Sequence, residues 1–258
     1  MPGDIGWIEA FSSLALIAVV VVISLWRRLD LEAPLIWSSL RAALQLIAVG
    51  ALFAIIFEAT QAFTWSWVWV VGMTLVSTEV VARRTGHLPG VRRPALAALA
   101  GSVAVTVGLI FGVGVLAFEP VTLVVIAGLT LGNTLPAAVQ SVELIKTEFM
   151  DKPERIEGLL ALGFDRRGAS REVTRAAVRQ ALLPQIERTK VIGLIALPGT
   201  MTGMLLAGAE PIPAVLVQLV IVYLVLGAVG VGAVVVAVAV AKRAFTADLR
   251  LAQWVTDR

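Results

Sequence analysis

Long apolar runs constrain this chain more than any other feature of its sequence. A helix that crosses the hydrocarbon core of a bilayer needs about 20 mostly apolar residues, and seven stretches of the chain meet that requirement. The seven runs are residues 5–26, 36–57, 62–81, 95–118, 121–142, 191–209 and 214–241. The sequence therefore predicts an all-α integral membrane protein with seven transmembrane helices.

The composition supports this class, since hydrophobic residues make up 59% of the 258 positions and charged residues only 15%. A soluble domain carries a much larger charged fraction. Seven spans use most of the chain, so no sizeable domain is expected outside the membrane. We expect one transmembrane domain over residues 1–258, with a single long polar region at 143–190.

The charges predict an orientation. All 21 lysine and arginine residues lie in or beside alternate connections between the runs, or in the C-terminal tail. The N-terminus and the remaining connections carry only acidic charges, at Asp4, Glu9, Glu58, Glu119 and Glu210. Because basic residues stay on the cytoplasmic side, we expect the N-terminus outside and the C-terminus in the cytoplasm, in a multi-pass protein of the cell inner (plasma) membrane. This pattern explains the basic balance of the chain without a nucleic-acid partner.

Several kinds of chemistry are excluded by what the sequence lacks. There is no cysteine and only one histidine, His87, so neither a thiolate site nor a multi-histidine metal site fits within one copy. No Gly-x-Ser-x-Gly or His-Glu-x-x-His motif occurs. A Walker A phosphate loop is also absent, because none of the four lysines follows a glycine. We therefore expect no enzyme activity and no cofactor in this chain, and the sequence identifies no metal ligands.

The region at 143–190, between the fifth and sixth runs, is predicted to form two helices. The sequence KPE at 152–154 is typical of a helix start, and Gly163 is expected to end this amphipathic helix. A turn over 165–168 then leads to a second helix that begins at Ser170 and runs towards Pro184. Two interpretations stay open: a basic hairpin that lies on anionic lipid, or a docking element for a soluble subunit.

One short motif in this region resembles a known element. The sequence EGLLALG at 157–163, followed by a basic helix and Leu183-Pro184, is similar to the EAA-type coupling loop of ABC-transporter permeases. In that loop an acidic residue and a glycine six positions later bracket a short helix that sits in a groove of the ATPase. Gly158 and Leu159 stand where the usual motif has two alanines.

Further segments extend the resemblance over nearly the whole chain. They are LRAALQL at 40–46, GN at 132–133, RQALLP at 179–184, LPGTMTG at 197–203 and AGAEP at 207–211. In this order they resemble the FetB/YbbM family of small ABC permeases. The resemblance implies a transport subunit in two copies, paired with a separate FetA-like ATPase that binds ATP and Mg. The bacterial family is associated with iron export, and plant relatives with aluminium tolerance and nucleotide-sugar transport.

The resemblance also implies which residues would contact the ATPase. By their place in the coupling-loop motif and directly after it, they are Glu157, Leu160, Gly163, Phe164, Arg166 and Arg167. Movement of this region would be passed to the fifth and sixth spans. Two rival functions need no ATPase: a secondary transporter, and a scaffold that only recruits a cytosolic protein.

Polar residues inside the predicted spans are candidates for a translocation pathway. Arg41 and Gln45 lie four positions apart in the second run. Arginine is costly at membrane depth, so Arg41 either reaches the inner headgroups or forms a gate with Glu79. Asn133, predicted to be deeply buried, either hydrogen-bonds a neighbouring helix or lines the pathway, where its carboxamide could solvate a cation.

The sixth run is interrupted at 198–203, where proline and small residues can open a helix. Free carbonyl groups at membrane depth are tolerated only beside protein or a cavity, which favours a pathway. The candidates here are Thr200, Met201 and Thr202. The alternative is close helix packing through Gly199 and Gly203.

Overall fold

The computed structural model describes residues 12–86, 88–246 and 248–256, and these residues form ten helices and no strands. The helices are α1 Leu14–Arg27, α2 Glu32–Glu58, α3 Ala62–Arg84, α4 Arg92–Gly112, α5 Pro120–Asp151, α6 Pro153–Ala161, α7 Arg166–Lys190, α8 Gly199–Leu206, α9 Pro211–Arg243 and α10 Gln253–Thr256. The predictions on the start of the first span, Asp4, Glu9 and His87 lie outside the described residues.

Among the residues that the structure describes, five helices are long and apolar enough to cross a membrane, namely α2, α3, α4, α5 and α9. The shorter α1 is also apolar. The prediction of an all-helical membrane protein is therefore confirmed. The count of seven spans and their orientation stay predictions.

Two of the predicted runs have different ends in the structure. The fourth was expected to reach 118, but α4 stops at Gly112 and Gly114 adopts a left-handed φ of +72°. The fifth continues past 142 to Asp151. Its charged residues do not break the helix, which ends where Lys152 leaves helical geometry one residue before Pro153.

The predicted sixth span over 191–209, which was expected to be interrupted at 198–203, is helical only at Gly199–Leu206. Residues 191–198 form turns closed by the Gly193 amide, which donates to the Ala196 carbonyl at 3.0 Å, and α8 has only eight residues. Gly193 takes a φ of +83°, and Pro198 disfavours helical geometry in the residue before it. The helix is interrupted at Pro198 as expected, but the non-helical stretch covers all of residues 191–198 rather than a single opened turn.

The chain divides into two compact units, one up to Ala62 and one from Phe63 on. In the first unit, α1 ends at Arg27, and the next residue, Arg28, has a left-handed φ of +54°. The buried Ser24 then accepts two backbone amides from the following turn, Leu29 at its carbonyl (3.0 Å) and Leu31 at its hydroxyl (3.1 Å). These bonds set the link between α1 and α2.

In the second unit, α4, α5 and α9 pack against one another through small residues. Ser102 of α4 donates its hydroxyl to the Ala228 carbonyl of α9 at 3.0 Å, a bond between neighbouring helices. At Gly232 of α9, an added Cβ would overlap the side-chain methyl of Thr134 on α5. Small side chains at such contacts let membrane helices approach closely.

Helices α5 and α9 run in the same direction. Their C-terminal ends meet where the Phe149 ring packs edge-on against Phe245, with the ring centroids 5.6 Å apart. Arg243, at the end of α9, donates to the carbonyl of Gly90 in the α3–α4 connection. Basic residues of several connections thus gather at one end of this unit, which we call the basic end.

Because α5 and α9 are parallel, the chain between them must come back along the unit. Helix α7 does so: it starts beside Thr246, just after α9, and its residues Ala181 and Pro184 line a cleft with Val229, far from the basic end. Residues 191–198 and α8 follow. We call α7, residues 191–198 and α8 the returning segment.

Candidate functional site

Helix α6 is anchored in the second unit by its apolar side. Ile156 is only 1% exposed, and Leu159 and Leu160 pack partly buried against the same core. Since the protein itself covers this side, it is not available to a lipid surface. Contact with lipid through this buried face is therefore excluded, and the docking role of α6 stays a prediction.

The tip of α6 remains exposed. Gly163 ends the helix, as predicted, with a left-handed φ of +88°. Its amide donates to the Leu160 carbonyl at 3.0 Å, and the Phe164 amide donates to the Leu159 carbonyl at 3.1 Å. Leu162 is 78% exposed and Phe164 49% exposed, and Glu157 of α6 is exposed as well. The end of α6 at residues 162–164, which we call the α6 tip, thus offers two apolar side chains to solvent or to a partner, and Glu157 adds a carboxylate on the helix itself.

Helix α7 starts earlier and ends later than the sequence predicted. Asp165 caps it by accepting the Gly168 amide at 2.7 Å, so residues 166–168 form its first turn. Ser170, the predicted start, lies inside the helix and donates to the Arg166 carbonyl at 2.7 Å. Pro184 does not end the helix, although its missing N–H removes one bond of the ladder; α7 runs on to Lys190.

Side-chain contacts join α6 and α7 to each other and to the chain after α9. Arg155 of α6 forms an ion pair with Glu172 of α7. Arg166 donates to the carbonyl of Thr246 at 2.9 Å, and Arg167 is exposed on the next position. The six predicted coupling residues therefore lie on α6, in the turn after it and in the first turn of α7.

Asn133 lines a cleft of about 320 Å³ between α5 and α7. It is half-buried rather than deeply buried, and its amide nitrogen donates to the Leu129 carbonyl at 2.8 Å. Gln140 of α5 and Gln185 and Arg188 of α7 also line this space, which we call the amide cleft. Its polar lining consists of carboxamides and one guanidinium, so it can form hydrogen bonds to a polar solute without a buried carboxylate.

The other predicted pathway residues do not line the amide cleft. Arg41 and Gln45 are exposed on α2 of the first unit. Thr200, Met201 and Thr202 lie on α8, where the Thr202 hydroxyl donates to the Pro198 carbonyl at 3.1 Å. Their roles in a pathway stay predictions.

Glu79, the proposed partner of Arg41, has two other cations beside it. Its carboxylate accepts from Arg83 at 3.1 Å and from Arg92 at 3.0 Å. This network joins the end of α3 to the start of α4 at the basic end. The pairing of Glu79 with Arg41 stays a prediction.

The sequence interpretation missed Gln185 and Arg188 because it placed the end of the second helix near Pro184. It also missed a second cleft, of about 600 Å³, between α7 and α9. Arginines at every fourth position of α7 line that cleft, at Arg167, Arg171, Arg175 and Arg179. The four-residue spacing was visible in the sequence, but only the structure shows what stands opposite.

Metal ligation was left unassigned from the sequence. Within the parts of the chain that the structure describes, no group of three acidic or histidine side chains comes together to hold a metal ion.

The chain matches the profile of the uncharacterised protein family UPF0014 over residues 7–245. It is 32% identical to the UPF0014 membrane protein slr1647 of Synechocystis, with 86% of this chain and 85% of the relative covered. The rice UPF0014 membrane protein STAR2 is 30% identical, over 87% of this chain and 78% of its own. The probable iron export permease protein FetB of Escherichia coli is 27% identical, over 83% and 82%. No solved structure is significantly similar to the chain.

Proposed function

From the premise that this chain belongs to the UPF0014 family of membrane proteins, we propose that it is the membrane-spanning subunit of an ABC transporter. In this proposal two copies enclose the pathway. A separate FetA-like ATPase binds ATP and Mg and docks on the α6 tip. The chain itself holds no cofactor and performs no chemical step.

The observation that carries the proposal is the construction of α6. Its buried face, with Ile156 only 1% exposed, fixes the helix to the second unit, while Leu162 and Phe164 project from its end. A partner that grips these side chains would move α6 together with α7 through the Arg155–Glu172 pair. Coupling of this kind requires contacts that differ between the two nucleotide states of the ATPase.

The charge pattern supports the orientation we propose, with the basic end and α6 in the cytoplasm and the N-terminus outside. Basic residues of the α3–α4 connection, the start of α7 and the end of α9 lie near one another, which agrees with a cytoplasmic face at this end. The membrane is the inner (plasma) membrane of the cell.

For the cargo we propose iron or another metal, exported through a path that includes the amide cleft. One support is the name of the E. coli relative, a probable iron export permease. The other is chemical, because carboxamide oxygens of Asn133, Gln140 and Gln185 can replace part of the hydration of a passing cation. Arg188 lines the same space and would favour brief occupancy by a cation over tight binding.

Co-purification with the cognate ABC ATPase tests the proposal. The wild-type chain should retain the ATPase in detergent, and in liposomes ferrous iron should raise ATP hydrolysis. Phe164→Asp should abolish retention, because it puts a charge where an apolar contact is required. Leu249→Asp is the matched control, since Leu249 is 47% exposed in the tail after α9 and Phe164 is 49% exposed.

Retention lost in Phe164→Asp but kept in Leu249→Asp would support docking at the α6 tip. If the chain retains the ATPase but ferrous iron does not raise ATP hydrolysis, the ATPase partner is supported and iron is ruled out as the cargo. A folded wild-type chain that binds no ATPase would leave the secondary transporter or the scaffold.

A further inference from the structure

The cleft between α7 and α9 has a strongly one-sided charge. Its cations are Arg167, Arg171, Arg175 and Arg179 of α7, which we call the arginine row, and Lys242 of α9. No carboxylate is among the residues that line the cleft. From Arg167 to Arg179 the arginine row covers twelve residue steps along the helix, about 18 Å at the usual rise.

The nearest acidic residue on α7 is already engaged. Glu172 is held by Arg155 of α6. Among the described residues, no ion pair involves any member of the arginine row or Lys242. Like charges four residues apart on a helix repel each other, and the row contains three such neighbouring pairs. An anion in the cleft would relieve that repulsion.

The opposite wall of the cleft is apolar. Val234 and Val238 of α9 face the space, and both are partly exposed, at 45% and 38%. They belong to a stretch of α9 that is apolar from 224 to 241 within a candidate membrane span. Arginines beside such a stretch are too costly to leave in contact with acyl chains, so the row must face water, a polar group or a bound anion.

The chemistry of arginine narrows the class of ligand. A guanidinium offers paired N–H donors that match two oxygens of a phosphate. Neighbouring members of the row lie one turn apart, so two of them can approach the same phosphate group. We propose that the cleft of about 600 Å³ between α7 and α9 is a binding site for a phosphate-bearing anion.

The phosphate can come from a soluble anion or from the headgroup of an acidic phospholipid whose acyl chains pack beside Val234 and Val238. The inference does not rest on ATP-driven transport, because binding to the chain alone decides it. Failure of this site would therefore leave the proposed function untouched.

Two probes test the site on the full chain in a neutral detergent at fixed ionic strength. Inorganic pyrophosphate represents soluble anions and is titrated by calorimetry. Dioleoylphosphatidylglycerol represents the headgroup and is followed by native mass spectrometry, with phosphatidylcholine as the neutral lipid. The test variant carries Arg171→Gln with Arg175→Gln, and the control carries Arg84→Gln with Arg93→Gln, which removes the same charge outside the cleft.

We expect at least one probe to bind the wild type saturably, with a Kd at least tenfold weaker in the test variant and within twofold of wild type in the control. Binding of pyrophosphate assigns the site to a soluble anion, and binding of phosphatidylglycerol alone assigns it to a headgroup. A variant with Arg171→Lys and Arg175→Lys keeps the charge but lacks the paired N–H donors of the guanidinium. Its affinity should lie between those of the wild type and the test variant. Equal affinities in wild type and test variant, or no saturable binding of either probe, would overturn the proposal.

Discussion

Arg166, in the first turn of α7, donates from Nη2 to the carbonyl oxygen of Thr246 at 2.9 Å. Thr246 lies just beyond α9, in a turn where its amide donates to the Arg250 carbonyl at 2.8 Å. This contact ties the start of the returning segment to the end of the last long helix. Movement of α7 at the basic end is therefore coupled to the chain that follows α9.

Loss of this contact should loosen the turn after α9. A hydrogen bond to a charged group contributes about 1.5–3 kcal/mol, and half-exposed Arg166 belongs at the lower end of that range. Arg166→Gln should therefore speed hydrogen exchange of the amides in 248–252 by about tenfold. Arg167→Gln is the control, because Arg167 is exposed and faces the cleft with α9. Equal protection in both variants would contradict the assignment.

Reversal of the charge at Glu157 should separate docking from folding. Glu157 is exposed and forms no ion pair within the described residues, so Glu157→Lys should change the free energy of unfolding by less than about 0.5 kcal/mol. Stimulation of the partner ATPase in liposomes should nevertheless fall at least fivefold. Asp248→Lys makes the same charge change in the tail and should keep stimulation. Wild-type stimulation in Glu157→Lys would refute a coupling role for α6.

Replacement by alanine should have opposite effects on the stability of α6 at two glycines, Gly158 and Gly163. Gly158 lies inside the helix and its added Cβ meets nothing within 4 Å, so Gly158→Ala should stabilise α6 by about 0.5–1 kcal/mol. Gly163 has a left-handed φ of +88°, so Gly163→Ala should destabilise its end by about 1–2 kcal/mol. Hydrogen exchange of 153–161 measures both effects. Shifts of the same sign would show that the turn after α6 differs from the one described.

The close approach of α5 and α9 should make Gly232 intolerant of a methyl group. Gly232→Ala puts a Cβ against the Thr134 methyl and should lower the free energy of unfolding by about 1–3 kcal/mol. Thr134→Ser removes that methyl, so the double variant should recover at least half of the loss. Reversible unfolding in detergent would provide the free energies of unfolding of the wild type, the two single variants and the double variant, which together form a double-mutant cycle. Additive losses would mean that the two side chains do not meet.

The amide cleft should affect transport without affecting assembly. Asn133→Leu removes a carboxamide that lines the cleft, and we expect at least fivefold slower iron transport in liposomes with unchanged retention of the ATPase. Gln180→Leu is the control, since Gln180 is exposed on α7 and lines neither cleft. Transport equal to the control would assign Asn133 to helix packing, through its bond to the Leu129 carbonyl.

Apolar runs predicted most of the long helices because burial in lipid or protein acts on every residue of a span. The ends of α2, α3 and α9 lie within a few residues of the predicted runs. The end of α5 was missed because charge was taken as the end of the helix. Polar residues are compatible with helical geometry, and only the steric restriction before Pro153 ends α5.

The returning segment could not be predicted from hydropathy, because its two parts follow different rules. Helix α7 is polar overall yet buries Ala169, Val173 and Ala177 against the rest of the second unit. Residues 191–198 are apolar yet not helical, because Gly193 and Pro198 change the backbone. Hydropathy averaged along the chain shows neither the buried small residues of α7 nor the turns at 191–198, so the clefts beside α7 were also missed.

The composition of the returning segment has a consequence for how the chain is made. With six arginines, α7 is not a segment that the translocon would release into lipid by itself. Its small buried residues need α5 and α9 beside them. Since α9 is synthesised after α7, α7 cannot pack against it until α9 has emerged from the ribosome. The burial of the polar helix α7 therefore depends on an apolar helix that the ribosome makes later.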